Sequence, residues 1–199
     1  MNIRNTIGCL LIVLFFLQAC NSSYTPKPRG YFKIDFPEKK YQVFDMPGYP
    51  YSFEYPTYAT VVKDTTFMGQ ATETEPWWIN VDFPSFNGRI YVSYKAIGKN
   101  VFDTLIKHAY TFTGEHASKA YSIEDSLIST PNNVHGVFFT VGGDVATANQ
   151  FFLTDSVKHF LRGALYFDAT PNADSLGIVN DFLLQDMKHL ISTFRWKNK

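Results

Sequence analysis

Apolar positions change their spacing several times along this chain, and each change predicts an element. Ile7–Leu17 is an almost unbroken apolar run behind a single charge at Arg4. It is too short for a spanning helix, which needs about 20 residues. Alternation follows. Phe32–Phe36 alternates until Pro37 stops it, Tyr51–Tyr55 alternates ring and polar residue before Pro56, and Tyr58–Lys63 carries Val61 and Val62. These read as strands. Trp77–Phe83 and Arg89–Lys95 predict a hairpin around the turn residues Pro84–Gly88, with Trp77, Ile79, Val81 and Phe83 on one face. Alternation then points Trp78 outward, as a candidate contact for a partner or a sugar.

The period shifts to 3.6 after Asn100, which predicts a capped helix from Val101 to about Phe112 with Phe102, Leu105, Ile106 and Ala109 as its buried stripe. Gly114–Asn133 fits either a strand or a broken helix, with Tyr121–Ile128 leaning to strand. Val134–Val141, Ala146–Thr154 and His159–Ala169 predict three further strands joined by turns at Gly142-Gly143-Asp144 and Asp155-Ser156. Asp174 is the expected cap of a last helix, Ser175–Phe194, whose Leu176, Val179, Leu183, Met187, Leu190 and Phe194 share a face. Short turns between consecutive strands imply an antiparallel sheet, and two main helices are available to flank it. The fold class is therefore α+β. The order of elements also resembles the PsbP-like α/β/α sandwich.

The N-terminal run ends in Leu17-Gln18-Ala19-Cys20. A charged start, an apolar segment and a small-residue cleavage site make residues 1–19 a signal peptide. The cysteine at the cut site resembles the lipobox of bacterial lipoproteins, so Cys20 is the expected lipidation site and the mature N-terminus. Residues 20–30 then form the lipidated end and a tether stiffened by Pro26 and Pro28. Residues 31–199 form one α+β domain.

Composition narrows the function. Loss of Arg4 takes the basic count from 18 to 17 against 18 acidic residues, a net charge of −1. That excludes a basic track for nucleic acid. With Cys20 acylated, no second thiol remains downstream, so the domain holds without a disulfide of its own. Its core must draw on the 19 Phe and 12 Tyr.

Candidate chemistry is sparse. His108, His116, His135, His159 and His189 show no zinc-type spacing and no H-E-x-x-H run, and the predicted helices place His108 and His189 on polar, solvated sides. No G-x-S-x-G elbow is present. Val141-Gly142-Gly143-Asp144 reads as a hairpin turn, since a strand and not a helix N-terminus follows it. Glu73, Glu75 and Asp82 near Trp77-Trp78 suit a hairpin edge better than a glycosidase carboxylate pair. The expectation is a protein without enzymatic activity, cofactor or metal.

One stretch is more specific. Pro26-Lys27-Pro28-Arg29-Gly30-Tyr31-Phe32-Lys33-Ile34-Asp35-Phe36-Pro37, then Tyr41 and Tyr51–Pro56, with Trp77-Trp78-Ile79-Asn80 and Thr130–Gly136, resembles the GldD gliding-motility lipoproteins of Bacteroidota. The resemblance implies a component of the gliding apparatus and the associated type IX secretion system, working among other motility and secretion lipoproteins. It implies no catalytic residue. Together these readings give a protein that acts by contact, bound to a lipid bilayer through acylated Cys20 and sited on the periplasmic face of the outer membrane. Arg29 and Lys33, positive where the tether meets the domain, join Trp78 as candidate partner-binding residues. A periplasmic glycan- or peptide-binding module is the alternative, and a hydrolase with a non-contiguous site is a further one.

Overall fold

Neighbouring side chains on three consecutive strands divide between two apolar clusters. Phe138, Phe151, Leu153, Leu161 and Leu165 enter one cluster, whereas Val137, Phe139, Phe152 and Phe160 enter another. Side chains on a strand alternate between faces, so this sheet has two apolar faces and must be covered on both. The computed structural model describes residues 33–64, 66–67, 70–71, 77–98, 102–115 and 117–197. Its compact body begins at Asp35.

In chain order the strands are β1 (Tyr41–Phe44), β2 (Tyr51–Pro56), β3 (Thr60–Lys63), β4 (Thr66–Phe67), β5 (Gln70–Ala71), β6 (Ile79–Phe83) and β7 (Gly88–Ala96). Helix α1 (Phe102–Gly114) follows, then β8 (Ala120–Ser129), β9 (His135–Gly143), β10 (Asn149–Thr154) and β11 (His159–Phe167). Helix α2 (Ala173–Thr193) and β12 (Arg195–Trp196) complete the order. Seven strands form one antiparallel sheet in the order β3-β6-β7-β11-β10-β9-β8. A smaller antiparallel sheet runs β1-β2-β12, and β4 pairs with β5.

Helix α1 covers one face of the large sheet, with Leu105 and Ala109 against Val137, Phe139, Phe152 and Phe160. The other face packs against α2 through Leu183, Met187, Leu190 and Ile191, and the small sheet adds Phe44, Tyr51 and Phe53. Strand β10 is buried along its whole length, as a central strand covered on both sides must be. Close strand packing fixes two glycines. A Cβ on Gly136 would stand 1.8 Å from the Phe152 carbonyl oxygen, and one on Gly163 would stand 2.3 Å from the Phe151 ring.

The α+β class, the β6–β7 hairpin, the β9–β10–β11 meander and both helices follow the sequence pattern. The ambiguous 114–133 stretch supplies β8. Three expectations change. Lys33–Lys40 forms no strand, and Phe36 instead stacks on Phe182 with ring centroids 4.3 Å apart. The cap of α2 is Asn172 and not Asp174: Asn172 Oδ1 accepts from the Ser175 N–H at 2.9 Å, leaving Asp174 in the first turn. The glycines of Val141-Gly142-Gly143-Asp144 lie in β9, and Asp144 Oδ1 accepts from the Ala173 N–H at 2.7 Å. A helix N-terminus does lie beside this segment, but a carboxylate of the same chain occupies it. Asn100 lies outside the described residues.

Candidate functional site

The stripe that buries α2 carries one acidic residue. Asp186 follows Leu183 by three positions and precedes Leu190 by four, which puts it on the covered face, and its side chain is 1% exposed. Three donors meet it there. Lys39 Nζ lies 2.8 Å from Oδ1, the Tyr41 hydroxyl donates to Oδ1 at 3.1 Å, and the Tyr58 hydroxyl donates to Oδ2 at 2.5 Å. Lys39 also donates to the Phe182 carbonyl at 2.8 Å and sits 3.5 Å from the centroid of the Phe182 ring. Burial lowers the Lys39 pKa, against the hydrogen bond and charge of Asp186. Burial, with the charge and hydrogen bond of Asp186 added, pushes the Tyr41 hydroxyl up to about 12 and raises Tyr58 as well. Both tyrosines therefore stay protonated at neutral pH. A carboxylate ringed by three donors is satisfied, and such a cluster holds elements together.

The same cluster continues through aromatic contact. The Tyr41 ring stacks on His189 at 3.5 Å between centroids, and His189 Nε2 lies 2.7 Å from Glu54 Oε2. His189 is thus no solvated helix-face histidine. It joins β1, β2 and α2.

A second cluster lines a cleft of about 350 Å³ formed by Trp77, Tyr94, Asp155, Lys158, His159 and Lys197, among others. The Tyr94 hydroxyl and His159 Nδ1 are 2.6 Å apart, and the imidazole stacks on Trp196 at 4.9 Å. Burial lowers the His159 pKa, with Asp155 opposing and Lys158 assisting, while burial and the Asp155 charge push Tyr94 up to about 12. Both groups are neutral at pH 7. Asp155 Oδ1 accepts from the backbone N–H groups of Val157, Lys158 and His159 at 3.0, 2.8 and 2.9 Å. Burial alone would raise its pKa, but those three donors lower it. Lys197 is paired with Asp45 and donates to the Met46 carbonyl. Among the described residues no serine or cysteine lines this cleft. Its aromatic walls and charged rim suit binding.

The residues singled out in the sequence are not brought together. Cys20 and Arg29 lie outside the described residues, as do Glu73, Glu75 and His116. Lys33 opens the described chain and is exposed. Trp78 is a correction. It is 8% exposed, its Nε1 donates to the Tyr94 carbonyl at 2.8 Å, and Lys95 lies 5.8 Å above its ring. Asn80, two residues on, is also buried, so β6 is covered on both faces and alternation does not carry Trp78 into solvent. Trp77 is the partly exposed indole, with Nε1 donating to the Gly48 carbonyl at 2.9 Å. Asp82 is held by Arg89 through two contacts of 2.5 and 3.0 Å, which ends its candidacy for a carboxylate pair. Among the described residues no three His, Cys, Asp or Glu side chains are placed to hold a metal, and no helix is long and apolar enough to cross a membrane.

The fold and its clusters define an antiparallel α+β sandwich whose buried Asp186 carboxylate is fully partnered, with a separate aromatic cleft. The chain belongs to the gliding motility lipoprotein GldD family, whose model matches residues 21–196. It is thereby a membrane-anchored lipoprotein of gliding motility. The solution structure of cyanobacterial PsbP (CyanoP) from Synechocystis sp. PCC 6803 is similar over 86% of this chain and 98% of that one, at 13% identity and a TM-score of 0.42. No curated protein matches.

Proposed function

We propose that this chain is an assembly component of the gliding apparatus and its associated type IX secretion system, acting by protein–protein contact and not by catalysis. Acylated Cys20 holds it in the bilayer, on the periplasmic face of the outer membrane. The tether with Arg29 and Lys33 sets the reach and the local charge of the domain. Confinement to one membrane surface raises its effective concentration for other anchored components. The observation that carries this reading is the saturation of Asp186: among the described residues the most buried ion pair is consumed in holding the fold. A second reading rests on the Trp77–Tyr94–His159 cleft, whose size and aromatic walls suit one sugar or peptide side chain.

Metabolic labelling with a fatty-acid analogue, combined with crosslinking in intact envelopes, tests the proposal. Wild type is expected to take up label and to crosslink to motility and secretion lipoproteins, and Cys20→Ala to lose both. Equal label on the two proteins, or an absence of such crosslinks in wild type, overturns it. His159→Gln separates the readings: a stable variant that still glides supports contact over cleft chemistry.

A further inference from the structure

Strand β8 ends the seven-stranded sheet. It pairs with β9 on one side, and among the described residues no strand pairs with the other. An edge of ten residues presents a row of backbone donors and acceptors to water, and proteins usually blunt such edges with lysine, proline, bulges or short length. Ala120–Ser129 contains no lysine and no proline. The register with β9 is irregular only between Ala120 and Ser122 and is continuous from Ile123 to Ser129.

Both faces beside this edge offer apolar surface. Ile123 and Leu127 stand opposite Val141 and Val137, on the α1 side, and Leu127 is 89% exposed. On the α2 side a groove of about 380 Å³ is lined by Ser126, Ile128, Phe138, Leu184, Lys188 and Ile191. Thr140 and Leu184 also line a second hollow, of about 210 Å³, that takes in Tyr121, so the two adjoin. A strand laid along β8 would send alternate side chains into this groove and onto Ile123 and Leu127.

We propose that the outer edge of β8 is a docking site for an extended segment of another protein, apolar at alternate positions and basic at its centre. The charge follows from β8 itself, whose two carboxylates, Glu124 and Asp125, lie at its middle and are exposed, with Asp125 accepting from the Tyr110 hydroxyl at 3.3 Å. A second copy of this chain fits badly. Two-fold antiparallel pairing over the full strand sets Glu124 opposite Asp125 of the other copy, and like charges in opposed positions destabilise a sheet. The inference deepens the protein-contact reading and rests on it.

The test uses the full lipidated protein in detergent micelles and two synthetic nonapeptides that alternate Val and Thr, one with Lys-Arg at its centre and one with Glu-Asp. Hydrogen exchange is followed across 120–129. The basic peptide should protect β8 and the acidic one should not. Glu124→Lys should weaken the basic peptide roughly threefold to fivefold and improve the acidic one, and Leu127→Lys should abolish protection by either. Absence of protection, equal protection by both peptides, or concentration-dependent protection without peptide (the mark of a second copy) overturns the proposal. In cells, persistence of wild-type crosslinks in a stably folded Leu127→Lys variant overturns the β8 site and leaves the contact reading intact. Absence of crosslinks in wild type overturns the contact reading, and the peptide experiment then decides the edge by itself.

Discussion

The Tyr58 hydroxyl donates to the Asp186 carboxylate at 2.5 Å across 128 positions of sequence. With Lys39 and Tyr41 on the other oxygen, this contact ties the leading segment, the small sheet and α2 into one unit. Its removal has a predictable sign. Asp186→Ala leaves the half-buried Lys39 ammonium with the Phe182 carbonyl alone and the two hydroxyls without the carboxylate, and should cost about 1–3 kcal/mol in urea unfolding. Asp186→Asn keeps an acceptor oxygen and should cost less. An alanine variant with the wild-type midpoint would show the cluster to be incidental.

Stability should fall at both ends of the pH range. Tyr41 titrates near 12 in the folded chain against 10.0 in the unfolded one. The stability it contributes is complete below pH 10 and is lost as pH rises toward 12, because the unfolded chain releases its proton first. Tyr41→Phe should make that alkaline loss shallower. His159 has the opposite sign. Its pKa is lowered from 6.5, so its contribution is complete above pH 6.5 and disappears as pH falls through the folded-state value. Denaturant midpoints measured from pH 5 to pH 12 check both limbs, and His159→Gln should flatten the acid one.

Gly163→Ala should destabilise by about 1–3 kcal/mol, since its Cβ would meet the Phe151 ring at the centre of the sheet. Phe151→Leu in the same chain should recover part of that loss. A double-mutant cycle on thermal midpoints reads the coupling, and additive effects would place the strain elsewhere.

Leu183→Ala removes a fully buried side chain from the α2 stripe and should cost about 2–5 kcal/mol. Urea unfolding measures it. A loss well under 1 kcal/mol would mean that α2 does not seal this face.

Periodicity made most of the body legible. The Leu105–Ala109 and Leu183–Met187–Leu190 spacings locate the helices, and alternation through Phe151–Leu153 and Phe160–Leu165 locates the sheet. Local pattern failed where pairing is purely long-range. Strand β1 leaves Gln42 and Val43 exposed, and β12 is two residues long, so neither has a periodicity to read. Phe32–Phe36 misled in the opposite sense, because Phe36 is placed by stacking on Phe182 and not by a ladder. Asp186 was passed over, because its donors come from residues 39, 41 and 58 and nothing local announces them. Trp78 failed because alternation assigns a face and does not say whether that face is covered.

The small sheet sets an order of events. Among the described residues β2 lies between the first strand and the last, with Ser52 and Tyr51 opposite Arg195 and Trp196. A chain that emerges N-terminus first presents β1 and β2 early, yet the third strand arrives only after every other element has been made. Until then Tyr51 and Phe53 lack their Phe194 neighbour and the sheet has an open side. Closure of the small sheet therefore waits on the C-terminal strand, whatever the order in which the other contacts form.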